Sequence, residues 1–580
     1  MQNRMEGTVM NHVRLTPGSI LQERLNRVHR RLYRSMDPDN ISLAYGGVHP
    51  LGFAEPEFAG KYLDISAAYA RNLADAQAVQ NGRTVVERIV SGQRADGYLG
   101  GYDFGQEFSS FSIWNQAFTC FGLISFYKET RDEDALAAAV RCMDFLCESC
   151  QAADAKPLLQ TGNFGSQHLV VLLPAALLYE LTGEARYQAF CRFILDVCRR
   201  SPTHNIFARA GVMGFGSPKG IETLAFLLGV LTYGRLTGDE ECIEAARAYW
   251  QDLQEHFISE TGCGTVGELW TYQRNQPAML SREIKPNENC VAVGWMELSL
   301  MLYDLTLDGR YFDAFERALY NHLLGSMAPD GSDFAYYQGN FGRKSIRTSE
   351  GLYACCRFRG LSMCAHLPEC AVFVRGNTLS FPFYTSYCAE VSTPEGDVHI
   401  EMSTEYPRNG RVRLLIRPQR QQSLRLLLRL PTWCDRYAAT LDGETTELPL
   451  TNGHLLIERS IPADGLRICL DLNMPIRTRT APLDETQCAC VEYGPLVMAL
   501  DSRHGTPIFS TTLDGNSAIR LLPAEEGGMP IVSLEASGSV RGEDRAIRLV
   551  DYASAGMHNP LKDRFRVWIP LTGEDLEGLY

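Results

Sequence analysis

The chain has 580 residues, room for two to four domains of ordinary size. With 45% hydrophobic and 21% charged residues it has the balance of a folded globular protein, which excludes a mainly disordered one. A net charge of −14 repels phosphate backbones and anionic lipids, so nucleic-acid and membrane-surface roles are disfavoured.

The opening segment, MQNRMEGTVMNHVRL, lacks the apolar run of a secretory signal, and the 18 cysteines are scattered without regular spacing. Together these point to a reducing cytoplasm with free or metal-bound thiols. No stretch offers the roughly 20 strongly apolar residues that cross a bilayer. Residues 108–127 are diluted by Asn115 and Gln116, and the more apolar 169–179 is short and holds Pro174. Both read as buried helices.

The first 370 or so residues read mostly as helices. Tyr-x-x-Thr recurs at Tyr127–Thr130, Tyr179–Thr182 and Tyr303–Thr306, and with one extra residue at Tyr233–Thr237. Each run closes an apolar helical stretch. A turn follows, then a second, amphipathic helix, as from Arg186 or Glu240. The threonines lie 52, 55 and 69 residues apart, the length of a helix-loop-helix unit with elaborated loops. Long irregular segments at 97–110, 151–167, 200–220 and 262–288 favour closure into an α/α toroid over an open solenoid. Their glycine, aromatic and acidic residues suit a sugar-sized pocket at one mouth.

Beyond about residue 375 the period changes to two, as in the runs near 398–402, 411–416 and 423–430, with turns at Arg408-Asn409-Gly410 and Asp442-Gly443. The expected organisation is a helical catalytic domain over 1–375, a β-sandwich over 376–490 and a second β-rich domain over 491–580.

Several side chains could carry chemistry. His168 opens a very apolar helix, either as a polar N-terminal residue or as a pocket donor. Cys142, Cys147 and Cys150 share one expected helix and read as core; Cys488 and Cys490 read as one buried strand face, with metal binding the less favoured use. Glu288-x-Cys290 and the vicinal pair Cys355-Cys356 stand apart. One carboxylate and three thiolates would complete a tetrahedral zinc shell, and neighbouring cysteines close a disulfide with each other only under strain. The bland alternative is that these thiols are simply buried. There is no Walker loop, no Rossmann glycine pattern and no Gly-x-Ser-x-Gly elbow.

From about Gly60 to Val372 the chain resembles the zinc-dependent cysteine glycosidases of glycoside hydrolase family 127 and its relatives. The resemblance is carried by an ordered series: Gly267-Glu268, Glu288-x-Cys290, Phe315-Glu316-Arg317-x-Leu-Tyr-Asn321, Phe334-Ala-Tyr336 and Cys355-Cys356. It extends more loosely through Val491-Glu-Tyr-Gly-Pro-Leu-Val497. It implies an (α/α)6 barrel followed by β-sandwiches and a retaining β-L-arabinofuranosidase-like activity. It further implies Zn2+ on Glu288, Cys290, Cys355 and Cys356, with Cys355 as nucleophile and Glu268 as acid/base. His168, Glu316 and Tyr336 would contact the sugar. A zinc-bound thiolate would thus stand where a retaining glycosidase ordinarily has its second carboxylate.

The chain departs from the family where Arg357-Phe-Arg-Gly360 replaces the usual Pro-Pro-Asn, where Asn289 replaces Thr, and where Lys219-Gly-Ile-Glu222 lacks a common active-site histidine. Lys219 or Arg357 at the pocket would favour an acidic sugar; the alternative for each is an ordinary surface position. Two other readings keep the same residues: a two-carboxylate glycosidase with structural zinc, and a non-catalytic carbohydrate-binding scaffold. The partner expected is an oligosaccharide or glycoside, without nucleic acid or membrane; the oligomeric state is open, a homodimer included.

Overall fold

The computed structural model describes residues 12–572 except 18, 46–54, 103–104, 155, 160–165, 209–210, 216–217, 272–284, 345, 347–354, 484–485, 506 and 524–529. Parts of the four long loops singled out above, and most of the N-terminal segment, therefore lie outside the described residues. Among the described residues there are twelve helices of eight or more residues: α1 (Ile20–Arg31), α2 (Glu55–Leu73), α3 (Ala76–Gly92), α4 (Ser112–Thr130), α5 (Glu133–Ala152), α6 (Leu172–Thr182), α7 (Ala185–Arg200), α8 (Gly220–Thr237), α9 (Glu240–His256), α10 (Asn289–Thr306), α11 (Gly309–Arg317) and α12 (Cys355–His366).

The even-numbered helices pack side by side in chain order, and α12 returns to α2, closing an inner ring of six. The odd-numbered helices lie outside it. Their sequences show why. Gly220 to Gly234 of α8 is buried at every position, whereas α9 buries one stripe only, through Cys242, Ala246, Tyr249 and Leu253. Where α2 crosses α4, a side chain at Gly60 would meet the Phe118 carbonyl at 2.1 Å, and one at Gly122 would meet that of Gly60 at 2.0 Å. Only glycine permits this approach. The (α/α)6 barrel expected for the helical half is the observed architecture.

The recurrent threonine has a local cause. Thr130, Thr182, Thr237 and Thr306 each end an inner helix, with Oγ1 donating to the carbonyl four residues back at 2.7–2.8 Å. The next residue is left-handed: Arg131, Gly183, Gly238 or Leu307. At three of the four ends the same hydroxyl accepts from the backbone N–H two residues on, at Asp132, Glu184 and Asp308. Those residues are the N-caps of α5, α7 and α11, so one side chain sets the turn from inner to outer helix.

The ring is closed by buried charge. Asp64 of α2 accepts from Ser362 at 2.8 Å and pairs with His366 at 3.2 Å, both on α12. Glu369, just beyond, pairs with His366 at 3.0 Å and with Arg71 of α2 at 2.7 Å. Burial alone would push the His366 pKa down, but Glu369 and Asp64 outweigh it and raise it to about 9. The unfolded value is near 6.5, so the stability contributed by this proton is full below pH 6.5 and is lost as pH rises through 9. The expected loss is on the order of 3 kcal/mol, because each pH unit between the two values is worth about 1.36 kcal/mol. Chemical-denaturation midpoints between pH 6 and 9.5 should fall in the wild type and stay nearly level in His366→Gln; parallel curves would refute this role.

Strands dominate from Phe373 onward. A seven-stranded antiparallel sheet runs, in spatial order, through His12–Leu15, Tyr387–Thr393, Gly396–Thr404, Arg411–Pro418, Leu466–Leu472, Tyr437–Leu441 and Glu444–Thr445. A five-stranded sheet through Leu450–Thr451, His454–Ile461, Gln422–Arg429, Thr378–Phe381 and Phe373–Arg375 completes the pair. Alternating burial along Arg411–Pro418 and Leu466–Leu472 is that of a sandwich face. The first strand of this sheet, His12–Leu15, comes from the N-terminal segment and pairs Val13 with Ala389. A third, ten-stranded sheet starts at Ile476–Leu483 and includes Glu543–Asp551. Among the described residues no helix is long and apolar enough to cross a membrane.

Candidate active site

Four donors meet at the ends of two neighbouring inner helices. Glu288 is the N-cap residue of α10 and Cys290 lies in its first turn; Cys355 and Cys356 open α12. Their ligand atoms all lie within 4.8 Å of one another. Cys356 Sγ is 3.2 Å from Cys290 Sγ and 3.6 Å from Glu288 Oε1. Helix N-termini favour the anionic forms of such groups. Even so, burial pushes Glu288, Cys290 and Cys356 well above their usual ranges. Cys355 alone is pulled down, first by hydrogen bonds from Cys290 and Cys356 and further by the Lys61 ammonium. Four acids in one buried space call for a cation. Glu288 Oε2, buried without a hydrogen-bond partner, supplies an open donor. A tetrahedral ion about 2.3 Å from each sulfur would set donor–donor edges near 3.8 Å, inside the observed spread. The donor set fits zinc.

Glu268 stands beside this cluster on a two-residue hairpin between Thr265–Val266 and Leu269–Trp270. Gly267 and Glu268 have φ of +57° and +71°, the two positive values of a type I′ turn, which glycine adopts freely and glutamate does not. Holding a glutamate left-handed costs about 1–3 kcal/mol. The hairpin is pinned by backbone bonds from Gly220 N–H to Glu268 O (2.8 Å) and from Gly267 N–H to Lys285 O (2.8 Å). Its carboxylate is held by three donors: the Tyr336 hydroxyl at 2.9 Å and the Tyr337 hydroxyl at 2.6 Å, both on Oε1, and Lys219 Nζ at 3.2 Å on Oε2. The Tyr336 hydroxyl also meets Cys355 Sγ at 3.6 Å. Cys355 is the one member of the cluster that is not fully buried.

The residues singled out in the sequence thus fall into two touching groups: Glu288, Cys290, Cys355 and Cys356 in one, Tyr336, Glu268 and Lys219 in the other. His168 is fully buried with its ring nitrogens on the carbonyls of Pro157 (2.6 Å) and Ser110 (3.0 Å), which ties those two segments together. Arg357 forms a two-pronged pair with Asp333 at 2.7 and 2.6 Å, which accounts for its charge without an acidic sugar.

Glu316 lies apart from these two groups. Its carboxylate accepts from Tyr406 at 2.7 Å and Trp433 at 3.3 Å and pairs with Arg429, all residues of the sandwich half. The rest of its motif faces the same way. Arg317 pairs with Glu492 at 2.9 Å, and Asn321 bonds the Pro495 carbonyl and the Val497 N–H at 2.9 and 2.8 Å. The helical motif and the later Val491–Val497 segment are two sides of one seam. This buried carboxylate, bonded by Arg429, Tyr406 and Trp433, joins the β half to the barrel.

Two buried groups at the site escaped the sequence reading. Lys61 pairs with Glu57 at 2.7 Å, and Glu57 also accepts from Trp114 at 2.5 Å. Burial would lower the Lys61 pKa, but Glu57 and the Cys355 sulfur outweigh it and raise it. A signal was present: Glu57, Lys61 and Asp64 fall at spacings of four and three in an otherwise apolar segment, one helix face carrying charge inward.

Residues 5–369 match the model of the beta-L-arabinofuranosidase GH127 catalytic domain, and 383–474 match that of the GH127 middle domain. The non-reducing end beta-L-arabinofuranosidase of Bifidobacterium longum subsp. longum is 24% identical over 479 residues, covering 71% of this chain and 70% of its own. Among solved structures, a GH127 beta-arabinofuranosidase superposes with a TM-score of 0.81 at 19% identity, over 97% of this chain and 96% of that one. A GH127 beta-L-arabinofuranosidase from Geobacillus stearothermophilus T6 does so with 0.80 at 17% identity, over 97% and 100%. The structures speak for the fold and the family models for descent: the chain is a glycoside hydrolase and belongs to family GH127.

Proposed function

We propose that the chain is a retaining glycosidase that releases a terminal β-L-arabinofuranose-like sugar, with Cys355 as nucleophile and Glu268 as acid/base. Glu288, Cys290, Cys355 and Cys356 would hold a zinc ion, and Tyr336 would contact the sugar between the two reacting groups. The observation that carries this reading is the single Tyr336 hydroxyl linking the Cys355 sulfur, at 3.6 Å, to the Glu268 carboxylate, at 2.9 Å. Sulfur and carboxylate are no farther apart than the sum of those distances. That is at or below the roughly 6.5–9.5 Å with which an inverting enzyme leaves room for water. The sugar class rests on the family and on the activity for which the Bifidobacterium relative is named.

A bound zinc would strip the thiol protons and fix the sulfurs at neutral pH. Cys355 then attacks the anomeric carbon, forming a C–S bond as the glycosidic C–O bond breaks, and Glu268 gives its proton to the leaving oxygen. In the second half Glu268 takes a proton from water as that water's oxygen displaces the sulfur. Two displacements at one carbon retain its configuration. Cys290, Cys355 and Cys356 are free thiols, as this chemistry requires. The two-carboxylate alternative has a second carboxylate in Glu222, but its side chain is 2% exposed behind Lys219, against 22% for Glu268. It is poorly disposed to attack a sugar.

Protein purified without added metal or chelator is expected to carry about one zinc per chain, sharply reduced in Cys290→Ala, and to hydrolyse p-nitrophenyl β-L-arabinofuranoside in preference to its α-anomer. Thiols that titrate freely and take up no zinc would sink the thiolate mechanism. Zinc with no β-L-arabinofuranosidase turnover would sink the sugar assignment alone.

A further inference from the structure

Lys219 and Glu222 lie at the start of α8, and the structure puts the lysine between Glu222 and Glu268. Lys219 Nζ lies 3.1 Å from Glu222 Oε1 and 3.2 Å from Glu268 Oε2, so one ammonium serves two carboxylates. The arrangement is built in by the backbone. Lys219 is the N-cap residue of α8 and bridges Leu269 of the Glu268 hairpin, and Glu222 follows in the first helical turn. Gly220 allows the approach: a side chain there would meet Val291 at 2.6 Å and Thr265 at 2.8 Å. Glu222 Oε2 is buried with no hydrogen-bond partner, although an ionised carboxylate normally has several.

We propose that Glu222 is a positioning residue for Glu268, acting through Lys219 by dividing the ammonium's charge between the two carboxylates as the reaction proceeds. This rests on Glu268 being the acid/base. While Glu268 holds the proton it will deliver, Lys219 is the counter-charge of ionised Glu222. Once Glu268 has passed that proton to the leaving oxygen, the ammonium is shared. When Glu268 takes a proton from water, the charge returns to Glu222. No proton leaves Lys219 or Glu222 in this cycle, so it needs no further reactant. A lone lysine on Glu268 would instead stabilise its carboxylate throughout and oppose the acid stage.

The supporting electrostatics agree. Burial raises the Glu222 pKa to about 7 against the pull of Lys219, so its ionised form depends on that ammonium. Lys219 is held protonated: burial opposes it, and Glu222 and Glu268 outweigh burial. The other charged or titratable groups acting here are Glu288, Tyr336 and Tyr337.

The test compares kcat/KM, which reports the bond-breaking half, on methyl and 2,4-dinitrophenyl β-L-arabinofuranosides. The methyl leaving group needs a proton; dinitrophenolate does not. Glu222→Gln is expected to lower the methyl value by about 10²-fold and the dinitrophenyl value by less than about threefold. Because the harm runs through Lys219, the double variant Lys219→Met/Glu222→Gln should recover at least about tenfold on the methyl substrate. Equal losses on both substrates, no loss on either, or a double variant no better than Glu222→Gln would each overturn the proposal. Glu268→Gln, assayed alongside, separates the failures: without its own leaving-group dependence the acid/base assignment falls first. Thermal midpoints of all variants guard against misfolding.

Discussion

Cys355→Ala is expected to lower kcat/KM on every glycoside the protein cleaves by about 10⁴-fold or more, a barrier increase near 5.5 kcal/mol. No neighbour replaces the lost sulfur. Cys290 and Cys356 are 1% and 0% exposed, and burial holds both well above the usual thiol range. Three of the four donors remain, so zinc content must be measured with the rate. A variant that keeps zinc and loses turnover isolates the nucleophile. Added azide gives a sharper reading, because it can attack the anomeric carbon in the space the sulfur leaves. Glycosyl azide of inverted configuration should then form from the dinitrophenyl substrate. Turnover within tenfold of wild type in a folded Cys355→Ala would refute the assignment.

The largest stability effect is expected at the seam. Arg429 is fully buried, pairs with both Asp313 and Glu316, and donates to the Pro382 carbonyl at 2.7 Å. Arg429→Met keeps the bulk and removes the charge, leaving Glu316, 1% exposed, without its counter-ion. Breaking one side of a buried pair costs about 3–5 kcal/mol. Burial already raises the Glu316 pKa against the pull of Arg429, and removing the arginine raises it further. A carboxyl with a raised folded pKa stabilises the fold as pH falls, so the deficit of the variant should be largest at neutral pH and shrink toward pH 5. Denaturation midpoints at pH 7.5 and 5 check this; a deficit below about 1 kcal/mol, or one that grows in acid, would show the pair to be dispensable.

What the sequence discloses depends on the range of the interactions involved. The Tyr-x-x-Thr runs are legible because a threonine ending a helix, a left-handed residue and the next N-cap all lie within a few positions. That Glu288, Cys290, Cys355 and Cys356 come together is legible through the family resemblance, and their donor atoms lie within 4.8 Å of one another. The setting of Glu316 is not legible because its partners, Tyr406, Arg429 and Trp433, are about a hundred positions away. The strand His12–Leu15 escapes for the same reason: its partner begins at Tyr387. Lys219 stands out only as a departure, and its bridge between Glu222 and Glu268 depends on a hairpin some fifty residues later.

The closing helix of the ring has a consequence for biogenesis. Helix α12 carries His366, which seals the barrel against α2, and also Cys355 and Cys356, half of the four-donor cluster. A chain emerging from the ribosome folds from its N-terminus as it grows. For this chain the first eleven helices can form in order and still hold only Glu288 and Cys290 in place. Barrel completion and completion of the donor set then become one event. A nascent chain cut short before residue 355 would leave α2 and α10 each short of one neighbour and two donors unmatched, so the four-donor cluster is complete only in a finished barrel.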